Sequence, residues 1–430
     1  MSTSQPVKEM LLALNCGSSS IKFKLFALSD LTVLISGSAS QVDSKGQKPI
    51  IKLTVHHPGS NGPDETESEE EQEGMEYRTR ARDVIKLVAH RVVHGGSETE
   101  PMAIWPGHEE GLEKLDQLSE FAPLHNHRAV QVVKSCLEHL PSSKQILLFD
   151  TLFHQSLPEH IYTYPLKAPA SPPPIPLRKY GAHGLSYASV VSSLSKHLQK
   201  PASQLNLVIA HLGSGASVCA VRDGKSYDTS MGLTPLDGLP GGSRSGSVDP
   251  VLVFHHTPSA SESVDFKGVH LSRGEMLLNK EAGLSALAGT SDFRTIALRA
   301  LSSSSDTGTD EERKAAKLTY NLFTDRIVNY VSAYVVKLLG APGSSASQLD
   351  GIVFSGGIGE KSVELRRDVL AYFHWIGVEV DESANKSAGK DDTKVVFEIT
   401  KATSKVKAFM CLTDEETQCA QMAKDAVASS

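Results

Sequence analysis

The chain has 430 residues, with 43 Lys+Arg against 50 Asp+Glu for a net charge of −7, and is 40% hydrophobic and 22% charged. That length leaves room for two or three domains with sizeable cores, and the charge balance excludes a global basic field for nucleic acid or an anionic membrane. The five cysteines form no C-x-x-C pair, Met1 to Met10 reads unlike a signal or transit peptide, and no apolar run reaches membrane-spanning length, so a reduced, cytoplasmic setting is expected.

The apolar run Met10 to Leu14 closes on Asn15-Cys16-Gly17-Ser18-Ser19-Ser20 and continues as Ile21-Lys22-Phe23-Lys24-Leu25-Phe26. The apolar/basic alternation of the second run predicts a half-buried strand, which makes the glycine-serine loop a strand-to-strand turn. Residues 61–76 carry eight carboxylates and almost nothing apolar, the composition of a solvated surface loop. His90-Arg91-Val92-Val93-His94-Gly95-Gly96 then sets an arginine beside an apolar pair and a Gly-Gly turn, where backbone approaches a ligand closely; alone, such an arginine is more often a surface or cap residue than a catalytic one. Phe149-Asp150 ends the apolar run from Ile146 with a carboxylate, either a contact for metal-bound water or a helix N-cap.

Lys167 to Pro176 is proline-rich and predicts an extended connector near a domain junction. Directly after it, Arg178-Lys179-Tyr180-Gly181-Ala182-His183-Gly184 places a histidine among small residues. Leu205 to Ile209 leads into a second glycine-serine loop, His211-Leu212-Gly213-Ser214-Gly215-Ala216-Ser217, then Val218 to Val221 and the Asp223-Gly224 turn, repeating the first strand-loop-strand design. Glycines let backbone N–H groups converge on phosphate oxygens and serines add donors. Two such loops point to a duplicated domain and to phosphoryl transfer, although neither is of the Walker type. Asp228 to Pro250 holds five glycines and three prolines among Asp, Thr, Ser and Arg244, the make-up of a long ordered loop with a function. An amphipathic helix is expected over about Glu311 to Leu339, with Leu318, Leu322, Ile327, Tyr330 and Val331 on its apolar side, followed by a strand over Leu349 to Phe354. Ser355-Gly356-Gly357-Ile358-Gly359-Glu360 then turns into a helix through Val363, Arg366, Arg367 and Leu370, a strand, Gly-Gly turn and helix suited to a nucleotide.

NCGSSSIKFKLF, HRVVHGG, FAPLHNH, FDTLFHQ, RKYGAHGLS, HLGSGASVCAV, DTSMGLTPLDGLPGGSRSGSVDP, SDFR, FSGGIGE and TDEE occur in one order from residue 15 to 416. In these motifs the chain resembles the acetate kinases over nearly its whole length. The resemblance implies an α/β fold of the sugar kinase, heat-shock chaperone and actin superfamily. Its two duplicated ribonuclease-H-like domains would span residues 1–153 plus 413–430 and residues 154–412, with the active site in the cleft between them. It implies reversible, direct in-line transfer of the ATP γ-phosphoryl to acetate, giving acetyl phosphate, a precursor of acetyl-CoA, and ADP. Mg2+, with Mn2+ as a stand-in, would be the cofactor, and a homodimer the assembly.

Carried over residue by residue, Asn15 and Glu415 match positions that hold Mg2+, and Arg91 and Arg244 match arginines for carboxylate and phosphoryl oxygens. His183 matches the histidine that hydrogen-bonds the transferring phosphoryl, and Asp150 the catalytic carboxylate. Ser18, Ser20 and Lys22 fall on the first phosphate loop, Gly213, Ser214 and Gly215 on the second, and His125 and His211 among cleft-lining histidines. Asp292 and Arg294 match adenosine-site residues beside the turn of Gly357, Gly359 and Glu360, and Val93, Leu124 and Pro235 match the pocket for the acetyl methyl group.

Ala182 replaces the usual phenylalanine, which opens the acyl-chain preference, so propionate or butyrate kinase is the alternative within the family. Ser214, Gly241-Gly242-Ser243 and Lys361 replace the usual donor-side residues, which leaves pyrophosphate beside ATP as donor. His127 in place of proline, with the acidic insertion, points to a eukaryotic version of fungal type. From another class, an actin-like, non-catalytic nucleotide switch would leave Arg91, Arg244 and His183 without a role.

Overall fold

The computed structural model describes residues 9–17, 20–40, 50–56, 65–69, 83–118, 123–266, 269–302, 308–340 and 349–428, without the side chains of 65–69, 117, 123–125 and 269. The chain divides into two compact units: residues 1–152, 169–176 and 414–430 form the first, and residues 153–168 and 177–413 the second.

The first unit is built on an eight-stranded sheet. Strands β1 (Met10–Cys16), β2 (Ser20–Ala27), β3 (Val33–Ser40), β4 (Ile50–Val55) and β5 (Glu65–Glu69) form an antiparallel meander. Part of the acidic stretch that reads as a loop is therefore a strand, paired to β4 at the sheet edge, while the rest lies outside the described residues. Strand β6 (Ile85–Val92) runs parallel to β1 and to β8 (Lys144–Phe149), and β7 (Met102–Ile104) closes the other edge antiparallel to β8. Helices α1 (Glu110–Gln117) and α2 (Pro123–His139) connect these strands. The C-terminal helix Glu415–Ala428 returns to this unit and packs on β1, β2, β6 and β8. Helices cover this parallel ladder, which is why β1, β6 and β8 are buried along most of their length rather than at alternate residues.

The second unit repeats six of these eight strands. Strands β9 (Leu207–Leu212), β10 (Ala216–Arg222) and β11 (Lys225–Thr229) form the meander. Beyond a separate hairpin of β12 (Ser263–Phe266) and β13 (Val269–Ser272), β14 (Gly351–Ser355) lies parallel to β9 and to β16 (Ala408–Cys411), with β15 (Val396–Glu398) antiparallel to β16. The orders β3-β2-β1-β6-β8-β7 and β11-β10-β9-β14-β16-β15 match position by position. The fold is thus α/β, with two duplicated ribonuclease-H-like sheets. Asp223 (φ 50°) and Gly224 (φ 72°) make the tight β10–β11 turn, where a Cβ on residue 224 would lie 2.2 Å from Ala202 O.

Helix α3 (Gly184–Leu198) precedes β9, and α4 (Phe293–Leu301) and α5 (Asp310–Leu339) precede β14. Thr309 and Glu312 form a capping box at the start of α5. Its buried stripe is Ala316, Tyr320, Phe323, Ile327, Val331, Tyr334 and Leu338. Leu318, expected on that side, is 58% exposed, and Leu322 and Tyr330 are half-buried. Beyond β14 come α6 (Gly356–Lys361) and α7 (Val363–Leu370). The core gathers β9, β10, β14 and β16 against α4, α5 and α7.

Candidate active site

In each unit the candidate residues gather where the central parallel strands end, the edge of an α/β sheet at which ligands bind. Asn15 and Arg91 are the last register pair of β1 and β6, and Asp150 follows the last residue of β8. Arg91 Nε and Nη2 donate to the two oxygens of Asp150 at 3.2 and 2.8 Å, and Nη1 donates to Asn15 Oδ1 at 3.0 Å. Nη1 also lies 3.1 Å from Glu415 Oε2, while Asn15 Nδ2 donates to Glu415 at 2.7 Å and to Glu416 at 3.0 Å. Burial works against the Arg91 charge, but Asp150 foremost and then Glu415 hold the guanidinium protonated well above its ordinary value.

Asp414 caps the C-terminal helix through Thr417 N and receives Lys24 Nζ at 2.5 Å, which fixes Glu415 and Glu416 over β1. Although burial pushes the Asp414 carboxyl up, the Lys24 contact draws it below the usual range. Asn126 on α2, fully buried, accepts from His94 N at 3.1 Å and donates to His94 O at 2.8 Å, pinning the turn after β6. Burial pushes the Cys16 thiol up to about 11, so it is a packed group and not a nucleophile.

The cluster's donor set suits Mg2+. Asp150, Glu415 and Glu416 surround one guanidinium, so negative charge is in excess, and every candidate ligand atom is an oxygen. Among the described residues no three His, Cys, Asp or Glu converge on one point.

In the second unit, His183 sits at the N-terminus of α3 in the left-handed region, at φ 59°. Its Nδ1 is 2.7 Å from Ser217 Oγ on β10, and its ring is 4.7 Å from that of His211, whose Nδ1 is 3.1 Å from Ser355 Oγ. A Cβ built on Gly215 would lie 3.2 Å from Arg244 Nη1 and 3.3 Å from His183 Nε2. Two nitrogens thus face one point above a residue that has no side chain to fill it. Arg244 also donates to Pro235 O at 3.4 Å.

A cavity of about 900 Å³ in this unit is lined by Gly213, Ser214, Gly242, Asp292, Arg294 and Gly357 among others. Three of the departures from the usual family pattern meet there: Gly242 N donates to Ser214 O at 2.8 Å, and Lys361 lines the same wall. Asp292 is the N-cap of α4, accepting from Arg294 N and Thr295 N. Gly359 and Glu360 are absent from this lining. Glu360 Oε1 instead accepts from Gly356 N at 3.0 Å and from Thr413 N at 3.2 Å, holding the glycine turn to the end of β16.

Four residues that the sequence did not single out support these groups. Glu416 and Asn126 serve the first unit; in the second, Arg366 donates to Gly359 O and Glu360 O at 2.8 and 2.7 Å, and to Asn385. Burial draws Arg366 down to about 10. Ser217 is the fourth. Capping and turn residues leave only a weak signal, because their partners lie far away in sequence. Ser18 falls outside the described residues, as do the side chains of Leu124 and His125, which start α2. Ser20 and Lys22 lie on β2, with Lys22 opposite Asn15, and Val93 is buried just past β6.

The sequence profile of the Acetokinase family matches residues 10–421. A protein named probable acetate kinase from Cryptococcus neoformans var. neoformans serotype D is 48% identical over 429 residues, covering 97% of this chain and 98% of its own. Among solved structures, an acetate kinase from Entamoeba histolytica superposes with a TM-score of 0.76 at 26% identity, covering 97% of this chain and 99% of its own. A propionate kinase from Francisella tularensis subsp. tularensis does so with 0.75 at 30% identity, covering 96% and 98%.

Proposed function

Because the chain belongs to the acetokinase family, we infer that it is a kinase of acetate, reversibly moving the γ-phosphoryl of ATP onto the acetate carboxylate. A carboxylate oxygen attacks the γ-phosphorus in line, the bond to the β–γ bridging oxygen breaks, and acetyl phosphate and ADP result. Acetate is already ionised near neutral pH, so no general base is required. Catalysis then rests on charge stabilisation and alignment. The single observation that carries this reading is the niche over Gly215, where Arg244 Nη1 and His183 Nε2 face one point that suits a phosphoryl oxygen.

In this reading Arg244 neutralises the transferring group and His183 hydrogen-bonds it, and Arg91 binds the acetate carboxylate with its fork oriented by both oxygens of Asp150. Asn15 and Glu415, with Glu416, would hold Mg2+ or Mn2+, which supplies charge neutralisation for the nucleotide phosphates. Ser18, Ser20 and Lys22 of the first loop and Gly213 to Gly215 of the second are assigned to phosphate, with His125 and His211 beside them. Asp292, Arg294 and Gly357 are assigned to the adenosine, with Gly359, outside the cavity lining, shaping the adjoining turn. Glu360 acts there indirectly, as the strap of the glycine turn. Val93, Leu124 and Pro235 would meet the methyl group. The two duplicated domains are assigned as residues 1–153 plus 413–430 and residues 154–412. The family resemblance further supports a cytoplasmic homodimer and a product that feeds acetyl-CoA formation. Among the described residues no helix is long and apolar enough to cross a membrane.

The cavity supports ATP over pyrophosphate as donor, since about 900 Å³ is within the range of sites for nucleotide-sized ligands and pyrophosphate alone would fill only a small part of it. Acetyl hydroxamate formation from acetate, Mg2+ and hydroxylamine tests this, with ATP and pyrophosphate as alternative donors and propionate and butyrate as alternative acceptors. Product with ATP, and highest kcat/KM for acetate, is expected. Product with pyrophosphate alone, or a preference for the longer acids, would replace the donor or the acceptor.

A further inference from the structure

Ser217 Oγ lies between two groups. One is His183 Nδ1 at 2.7 Å, and the other is the hydroxyl of Tyr187 at 2.5 Å. Ser217 and Tyr187 are both fully buried, and the Tyr187 ring is stacked on Phe153 at 5.9 Å and edge-on to His154 at 5.7 Å, so its hydroxyl is held in place. The three residues come from α3 and β10, with His183 and Tyr187 one helical turn apart. His183 adopts its left-handed φ of 59°, a conformation that costs free energy for a residue with a Cβ and persists where the surroundings over-determine it.

A serine hydroxyl has one hydrogen to give and lone pairs to receive. A phenol is the stronger acid of the two hydroxyls, so it is the better donor between them, and Tyr187 donating to Ser217 leaves the Ser217 hydrogen for His183 Nδ1. An imidazole that accepts at Nδ1 is neutral and carries its hydrogen on Nε2. Nε2 is the atom 3.3 Å from the Gly215 point that Arg244 also faces.

We propose that Tyr187 and Ser217 are positioning residues that fix His183 as the Nε2–H tautomer, so that it offers a hydrogen-bond donor to the transferring phosphoryl group. The proposal rests on the kinase reading only for what Nε2–H meets. The tautomer itself belongs to the folded protein. With the opposite tautomer Nε2 would present a lone pair to phosphoryl oxygens and repel them. The relay makes that state unfavourable, because a hydrogen on Nδ1 would turn Ser217 into an acceptor from both neighbours and take away the acceptor that its own buried hydrogen has in His183.

The test is 15N-resolved imidazole NMR of the full-length protein, wild type, Ser217→Ala, Ser217→Thr and Tyr187→Phe, beside steady-state kinetics. The His183→Gln spectrum assigns the resonance. The Nε2–H pattern is expected in the wild type and in Ser217→Thr, with mixed tautomers in Ser217→Ala and a partial loss in Tyr187→Phe. In Ser217→Ala kcat should fall about ten- to a hundred-fold, the usual loss when a partner that orients a histidine is removed, while KM for acetate stays within about twofold. Circular dichroism and thermal melting establish that each variant is folded. An Nδ1–H pattern in the wild type, or an unchanged tautomer in both folded Ser217→Ala and Tyr187→Phe, overturns the relay. An Nε2–H wild type that makes no acetyl phosphate keeps the relay and overturns the kinase reading instead.

Discussion

At the last register position of the parallel pair β1 and β6 the first unit sets Asn15 beside Arg91, and at the matching end of β9 and β14 the second sets His211 beside Ser355. Both pairs are hydrogen-bonded, Arg91 to Asn15 at 3.0 Å and His211 to Ser355 at 3.1 Å. Around the first gather Asp150, Glu415 and Glu416; near the second stand His183, Arg244 and glycines. One scaffold, used twice, therefore carries opposite electrostatics at the same place. The strand order is set by burial and survives any exchange of residues at the strand ends, so those ends are free to diverge. An anion-rich end that suits a metal and a donor-rich end that suits phosphoryl oxygens are the two parts that phosphoryl transfer requires.

The comparison breaks most sharply at the two arginines. Arg244→Ala should lower kcat by about 10³ to 10⁵, as for arginines that neutralise a transferring phosphoryl, with little change in melting temperature. Initial rates and a thermal melt decide this, and a loss below about tenfold in a folded variant would remove Arg244 from the chemistry. Arg91→Ala should instead abolish activity and also destabilise the fold by about 3–5 kcal/mol, because it strands the fully buried Asp150 carboxylate. Denaturant titration checks the cost. Arg91→Met combined with Asp150→Leu should recover much of the stability and none of the rate.

The two units should respond alike to acid. His90 in the first donates from Nε2 to Gln145 Oε1 from full burial, and His154 in the second is held by Ser226 and the Ala182 carbonyl; burial draws both down to about 4 from an ordinary 6.5. Their folded values lie below the unfolded one, so between pH 6.5 and 4 the unfolded chain binds more protons. Stability present above pH 6.5 is thus lost as pH falls toward 4, by up to about 3 kcal/mol for each histidine. Melting temperatures between pH 4 and 7 should show this slope, and His90→Gln and His154→Gln should each flatten it. The smallest effect is expected at Lys24→Met. Its partner Asp414 is 42% exposed, and such a pair is worth about 1 kcal/mol or less. The Mg2+ concentration for half-maximal rate should then rise about fivefold at most, as a metal titration would show.

Much of this was legible in the sequence. The strands announce themselves as apolar runs, and the two loops by glycine and serine where backbone must approach a ligand. Arg91, Asp150, Asn15 and Glu415 are named by the resemblance, and they do meet in one cluster, although 400 residues separate Asn15 from Glu415. The supports were not legible. Ser217 reads as one more small residue after a glycine loop, and only the fold brings it to His183. Arg366 looks like a surface arginine of an amphipathic helix, yet it is fully buried and straps the carbonyls of the glycine turn. Leu318 erred the other way, since an apolar residue on a helix is not thereby on the core face. Glu360 sits in a nucleotide-like turn, and its carboxylate is spent on Gly356 and Thr413.

The most direct test follows the 31P NMR spectrum of purified protein with ATP, Mg2+ and acetate, and again without acetate. The account predicts acetyl phosphate appearing one for one with ADP, and no turnover when acetate is omitted. ADP and inorganic phosphate accumulating at the same slow rate in both samples, with no acetyl phosphate, would contradict it and mark the protein as a nucleotide switch.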